Sequence, residues 1–536
     1  MRHITSRIVT LLVLLLAAAA APSFAVGQEQ GLGELEFVNS GARQAQHPFI
    51  RGLLLLHSFE YEDAREAFQA AREIDPDFVM AYWGEAQTHN HPIWQQQDRD
   101  AAQAALAKLG ATAEARYAKA GTERELDYLR TVEVLYGAGD KRDRDYAYSD
   151  AMRQLMLKYP DDADARAFYA LSILGTCHDG RDIKRYMKAA ATVEEVYARN
   201  PEHPGALHYL IHSYDDPTHA PLGLRAARLY SEVAQRAGHA LHMPTHIFVA
   251  LGMWDEVAGL NEESWQASLR RQQRKGLGKA TRGYHARLWE HYAFLQQGRF
   301  SAARALIDEF VAELGTDGDS PGMRGVLGAM RAAQIVAAES AGLAGIVSDL
   351  DVRGATRASH QYGQLVAALK RQDRGAAEAA LRDVAAMLGG ADSGDWRGRS
   401  APSRIVELEM RALLALDGGD TEGAIKQLQE AAALEDDQPF AFGPPVPVKP
   451  AHELLADVMH ATGDSGAAIT HYDRALERTP GRAVTLLGLA RAAEAAGQRA
   501  RATAAYAQLR DNWVNADAGL AALAEIRQAT ATGGER

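Results

Sequence analysis

Apolar and small residues recur along this chain at helical spacing from about residue 45 to residue 516, with alanine the dominant small residue. Valine, isoleucine and threonine never gather into the alternating pattern of a half-buried strand, so the pattern predicts helix nearly end to end. Within it a longer period can be read. Ala64, Phe68, Ala71 and Pro76 are spaced 4, 3 and 5 residues apart, and Ala468, Tyr472, Ala475 and Pro480 repeat that spacing. Ala502, Tyr506 and Leu509 follow 34 residues after their counterparts. Small residues let two helices of a hairpin approach, an aromatic fills the gap to the next hairpin, and proline ends the second helix.

These landmarks resemble the tetratricopeptide repeat family, whose period they share. The resemblance implies an all-α superhelical solenoid of about ten to twelve helical hairpins, with the first helix of each hairpin on a concave inner face. Clear repeats fall near 45–76, 205–270, 283–314 and 449–516. The expected organisation is a signal segment at 1–25, a linker at 26–44 and N-terminal repeats at 45–200. Central histidine-rich repeats follow at 201–314, then degenerate helical repeats at 315–436. A proline-rich loop at 437–450, C-terminal repeats at 451–516 and a tail at 517–536 complete the chain. The segment QPFAFGPPVPVKP is too rich in proline for helix. It is flanked by Lys449 and His452 and is placed to fold back over the groove.

The N-terminus has the marks of an export signal. Arg2 and Arg7 precede a short apolar run from Ile8 to Ala21, and Ser23-Phe24-Ala25 offers small residues for cleavage after Ala25. The expected location is periplasmic or secreted, with no membrane span after cleavage. The single cysteine, Cys177, permits no internal disulfide, so the exported chain depends on packing alone. A formal net charge of −12 argues against nucleic acid as a partner. Against that acidity stands one basic run, Arg270, Arg271, Arg274, Lys275, Lys279 and Arg282. It reads as a solvated linker or as an anion-guiding patch.

The candidate chemistry lies in histidine. Ten of the 19 histidines fall between His178 and His291. Within that span two pairs, His208 with His212 and His242 with His246, have i, i+4 spacing, which puts both rings of a pair on one helix face. The second pair follows the first by 34 residues, one repeat period. The segment HPGALHYLIHSYDDPTHAPLGLRAA, with HALHMPTHIFVALGMWDEV after it, also resembles a group of exported bacterial tetratricopeptide proteins. In the register that the resemblance implies, all four rings line the concave groove. His239 and His285 share a further groove position, Trp83 matches that of His208 and His242, and His91 holds another.

Four to six imidazoles from neighbouring helices can surround one or two ions, and imidazole-rich sites suit copper, zinc or iron. Asp215, Asp216 and His219 lie in a turn from which each could orient a ligand ring. His89 and His91, beside Trp94, are candidates for the same groove. The pattern H-E-x-x-H is absent, because Tyr209 and Met243 follow the first histidines, so no glutamate is placed as the base of a metalloprotease. Pro244 falls between His242 and His246. Since proline is tolerated only in a first helical turn, a helix starting near Leu241 is expected, with His239 at its mouth and His242 in an irregular turn. Two readings stay open: a metalloprotein acting on a small molecule, or a non-catalytic scaffold binding a peptide or protein in the groove.

Overall fold

A computed structural model describes residues 26–29, 31–337, 350–389 and 400–531. The expected signal segment, with its cleavage point after Ala25, lies outside the described residues. Helix makes up 73% of the described residues, which settles the all-α class. Antiparallel helix pairs follow one another from Gln46–His57 with Tyr61–Ile74 to Ala483–Ala495 with Arg499–Asn512, each packed on its neighbours in sequence. This is a helical-hairpin solenoid of the tetratricopeptide type.

The packing explains the landmark residues. Phe68 is fully buried, and its ring lies against Gly52 and Gly84 on the helices before and after it. A Cβ at Gly84 would come within 2.4 Å of that ring. Tyr472 meets Gly488 in the same way near the other end. An aromatic set against a glycine of the next helix is the local reason these hairpins stack closely.

Two terminal segments differ from expectation. Residues 26–44 are not a bare linker. Val26–Glu29 pairs antiparallel with Gly33–Glu36, and Leu32, Leu35 and Phe37 are buried. The ribbon is stitched to distant repeats by Glu34 N–H donating to Glu202 O (3.1 Å) and Arg236 N–H donating to Gly31 O (2.9 Å). The alternation of apolar residues here is too short to stand out beside long helices. Residues 517–536 are likewise more than a tail: Ala522–Ala531 is helical and buries Ile526.

The chain also returns on itself. Arg482 donates to Glu453 (2.7 and 3.2 Å), to Val448 O (3.1 Å) and to Tyr292 Oη (3.4 Å). Ala483 N–H donates to Gln296 Oε1 (2.9 Å), and Asp517 N–H to Gly298 O (3.0 Å). These bonds join the C-terminal repeats and the proline-rich loop to Tyr284–Gln296, the helix that carries His285. No helix among the described residues is long and apolar enough to cross a membrane.

Candidate metal centre

Four short elements bring the histidines together. His203 caps Pro204–Tyr214 by accepting from Ala206 N–H at 3.2 Å, and Pro204 occupies the first turn, where a missing N–H costs nothing. That helix carries His208 and His212. Gly238–His242 and Pro244–Ala250 are two helical pieces joined at Met243, whose φ of −57° and ψ of −39° are themselves helical. Pro244 therefore starts a new first turn without turning the chain. His242 is helical rather than in an irregular turn, and it keeps its face in common with His246. His285 comes from Tyr284–Gln296.

The six rings resolve into two adjoining triads. The ligand nitrogens of His208, His212 and His239 lie within 4.8 Å of one another, and so do those of His242, His246 and His285. The triads abut, with ring centroids 6.2 Å apart for His212 and His246 and 6.3 Å apart for His239 and His242. The sequence grouped these residues by helix. The structure keeps each pair together and adds a third ring from another element.

Hydrogen bonds fix the tautomers of three rings. His208 Nδ1 lies 2.6 Å from the carbonyl oxygen of His57. A carbonyl can only accept, so Nδ1 carries the proton and Nε2 keeps its lone pair. His246 Nδ1 donates to the Asp215 carboxylate at 2.6 Å. His242 Nδ1 lies 2.7 Å from Asn261 Oδ1, and Asn261 Nδ2 is committed to Val257 O at 2.8 Å, which turns the amide oxygen toward the ring. His242 Nε2 and His246 Nε2 therefore face each other at 3.1 Å. Two imidazole nitrogens at that distance share a cation, either a proton or a metal ion. In the other triad, Nε2 of His208, His212 and His239 are all buried without a hydrogen-bond partner. Buried polar atoms are almost always satisfied, so three orphans converging on one point are unusual.

Most of these rings lie in dry surroundings. His208 is fully buried, and His212, His242 and His246 are nearly so. Burial holds the pKa values of His208, His212, His239 and His242 well below the ordinary value, and mutual repulsion among neighbouring imidazoles adds to it. Neutral imidazole is the form that binds metal. His285 is exposed at its outer edge, yet desolvation of its ring lowers its pKa as well, to about 4.

An aromatic side chain closes over each triad. The Phe59 ring lies 4.2 Å from that of His208 and 5.7 Å from those of His212 and His239. Phe59 has a φ of +56°, the left-handed conformation that follows a helix end and usually selects glycine. Trp289 lies 4.8, 4.4 and 5.7 Å from His242, His246 and His285. Phe442 of the proline-rich loop reaches to 5.8 Å from His246, so that loop does fold back onto the site.

The other candidates are placed as follows. Asp215 holds His246. Asp216 instead pairs with His219 (2.9 Å) and Arg181 (3.3 Å) and accepts from the N–H groups of Thr218 and His219, so it builds the turn. Trp83 is fully buried with its ring against Tyr128 and Phe168, in the core between hairpins and away from the triads. His91 stacks on Tyr61 at 3.9 Å, and His89 joins neither triad. His452 pairs with His471 and Asp436, apart from the site.

Sequence reasoning passed over His57, Asn261, Phe59 and Trp289. Only Trp289 left a signal, standing four residues after His285 on the same face. His57 belongs to a third buried group, in which its Nε2 lies 2.8 Å from Asp164 Oδ1 and its Nδ1 2.9 Å from Tyr209 Oη. His203, capping its helix through Nδ1, faces the same carboxylate at 3.6 Å. These groups brace the backbone carbonyl that holds His208.

No protein-family model matches the chain, and no curated protein matches it. Solved structures similar to it at low identity include Cut9–Hcn1, the APC/C hetero-tetramer (12% identity, 92% of this chain and 77% of that one, TM-score 0.33). Yeast Tom70 gives 12% identity over 92% and 96%, with a TM-score of 0.28. The human IFIT1 dimer with m7Gppp-AAAA gives 13% over 91% and 90%, with a TM-score of 0.34. The assignment of fold rests on the repeats and packing described above.

Proposed function

We propose that this chain is a metalloprotein whose two histidine triads hold a pair of transition-metal ions, copper, zinc or iron, and that it acts as a metalloenzyme on a small molecule. One observation supports this above all: Nε2 of His208, His212 and His239 converge, buried and without a hydrogen-bond partner, beside the facing Nε2 atoms of His242 and His246. A cation supplies what those nitrogens lack. Three nitrogen donors per ion leave coordination positions for water or substrate, the arrangement of a catalytic rather than a closed structural site. Asp215 and Asn261 serve as the outer partners that orient metal-binding imidazoles. The centre of the groove is filled by Phe59, Trp289 and the proline-rich loop, which leaves a small molecule better suited to it than an extended peptide. The export signal read at 1–25 suits a periplasmic or secreted protein.

Metal analysis tests this. Protein reconstituted with copper, zinc or iron at neutral pH is expected to retain about two equivalents per chain. His208→Gln with His212→Gln should remove one, and His242→Gln with His246→Gln the other. A wild-type protein with no affinity for any of the three metals would overturn the reading.

A further inference from the structure

Beside the triads lies a chamber of about 370 Å³, within the range of small-molecule sites. His239 of one triad and His242 and His285 of the other line its inner wall. Five arginines, Arg51, Arg236, Arg270, Arg271 and Arg274, also line it, among apolar and neutral polar residues and against two acids, Glu60 and Asp63. This is the opposite sign from the chain as a whole, whose net charge is −12.

The two acids do not pair with Arg270 or Arg274. Asp63 is taken up by Arg271 and Lys275, each at 2.7 Å, and Arg271 also binds Glu62 at 2.8 Å. Glu60 accepts the backbone N–H of His239 at 3.0 Å, which commits it to that helix end. Arg270 and Arg274 have no ion pair among the described residues. They stand i, i+4 on Trp254–Lys275, a spacing at which like charges repel. A helix C-terminus favours positive charge. It does not account for Arg51 and Arg236, which reach the same chamber from the Gln46–His57 helix and from the turn before Gly238.

We propose that the chamber binds a small organic carboxylate and presents it to the metal pair, so that the substrate class of the centre is anionic. Guanidinium matches a carboxylate in geometry and charge, and an anion between Arg270 and Arg274 removes their repulsion. The substrate role rests on the metal reading. The anion preference does not, and the experiment separates the two.

Calorimetry on metal-free protein at low salt compares benzoate with benzamide, its uncharged counterpart. Benzoate is expected to bind about tenfold more tightly or better, as for charge-assisted contacts. Arg270→Gln with Arg274→Gln should abolish that preference. Both side chains are exposed, so circular dichroism of the variant should match wild type. In copper-loaded protein, benzoate should shift the visible absorption of the metal and benzamide should not. Equal binding of the two probes, or a preference that survives the double substitution, overturns the chamber as an anion site. An Arg-dependent preference with no shift in the metal spectrum overturns the substrate role. If the protein takes up no metal, the functional reading fails, and the metal-free calorimetry still decides whether the chamber selects anions.

Discussion

Lowering the pH of the metal-free protein from 7.5 to 5.5 should unfold it far more readily than an ordinary surface histidine content would. His208, His212, His239 and His242 are held neutral in the fold, chiefly by burial. In the unfolded chain each returns to the ordinary value of 6.5. Below that pH the unfolded state takes up protons that the folded state refuses, so stability present above 6.5 is lost as the pH falls. One ring whose folded pKa lies far below contributes a loss of about 1.4 kcal/mol over this interval. Four rings sum to an upper bound of about 5 kcal/mol, comparable with the whole stability of many domains. Other groups titrate as well, so the decisive quantity is a difference. Replacing His208 and His212 by glutamine should reduce the acid loss by about 2.7 kcal/mol, two rings' worth. Urea unfolding in the presence of EDTA at pH 7.5, 6.5 and 5.5, followed by circular dichroism, measures both proteins. A variant that loses as much stability on acidification as wild type would refute the reasoning, because these rings would then already be protonated or solvated in the fold.

Asp215→Asn should weaken metal binding about 10- to 100-fold by loosening His246, whereas Asp216→Asn should leave affinity nearly unchanged; competition with a chromogenic chelator distinguishes them. At Phe59, removing the ring should cost about 3–5 kcal/mol, yet Phe59→Gly should be the more stable of two truncations, ahead of Phe59→Ala by about 1 kcal/mol, because only glycine relieves the left-handed backbone; an alanine variant of equal or greater stability in urea would contradict this. Gly443 has a φ of +84°, and a Cβ there would come within 2.2 Å of Trp289. Gly443→Ala should therefore destabilise by about 1–3 kcal/mol and shift tryptophan fluorescence as the loop lifts from the site.

The fold was legible because its period is local. Ala64, Phe68 and Ala71 mark one packing surface, and Ala468, Tyr472 and Ala475 mark another, and each surface is completed by the adjacent hairpin. The short ribbon at 26–36 was missed for the opposite reason, since its hydrogen bonds go to residues near 202 and 236. The two histidine pairs were equally plain, through i, i+4 spacing and the one-period offset. Their surroundings were not. An open groove was expected around them, and burial was found, because Phe59, Trp289 and Phe442 arrive from segments remote in sequence.

By itself, then, the sequence determined the helical class, the repeat period and the placing of His208 with His212 and His242 with His246 on matching faces. All of these depend on residues within one or two hairpins of each other. Only the tertiary structure decided that His239 and His285 divide the cluster into two triads, that Asp215 and Asn261 fix the ring tautomers, and that arginines from three segments share one chamber. Those facts depend on the curvature accumulated over many stacked hairpins and on the return of the C-terminal repeats. Curvature is a sum of small packing angles, and no single stretch of sequence records it.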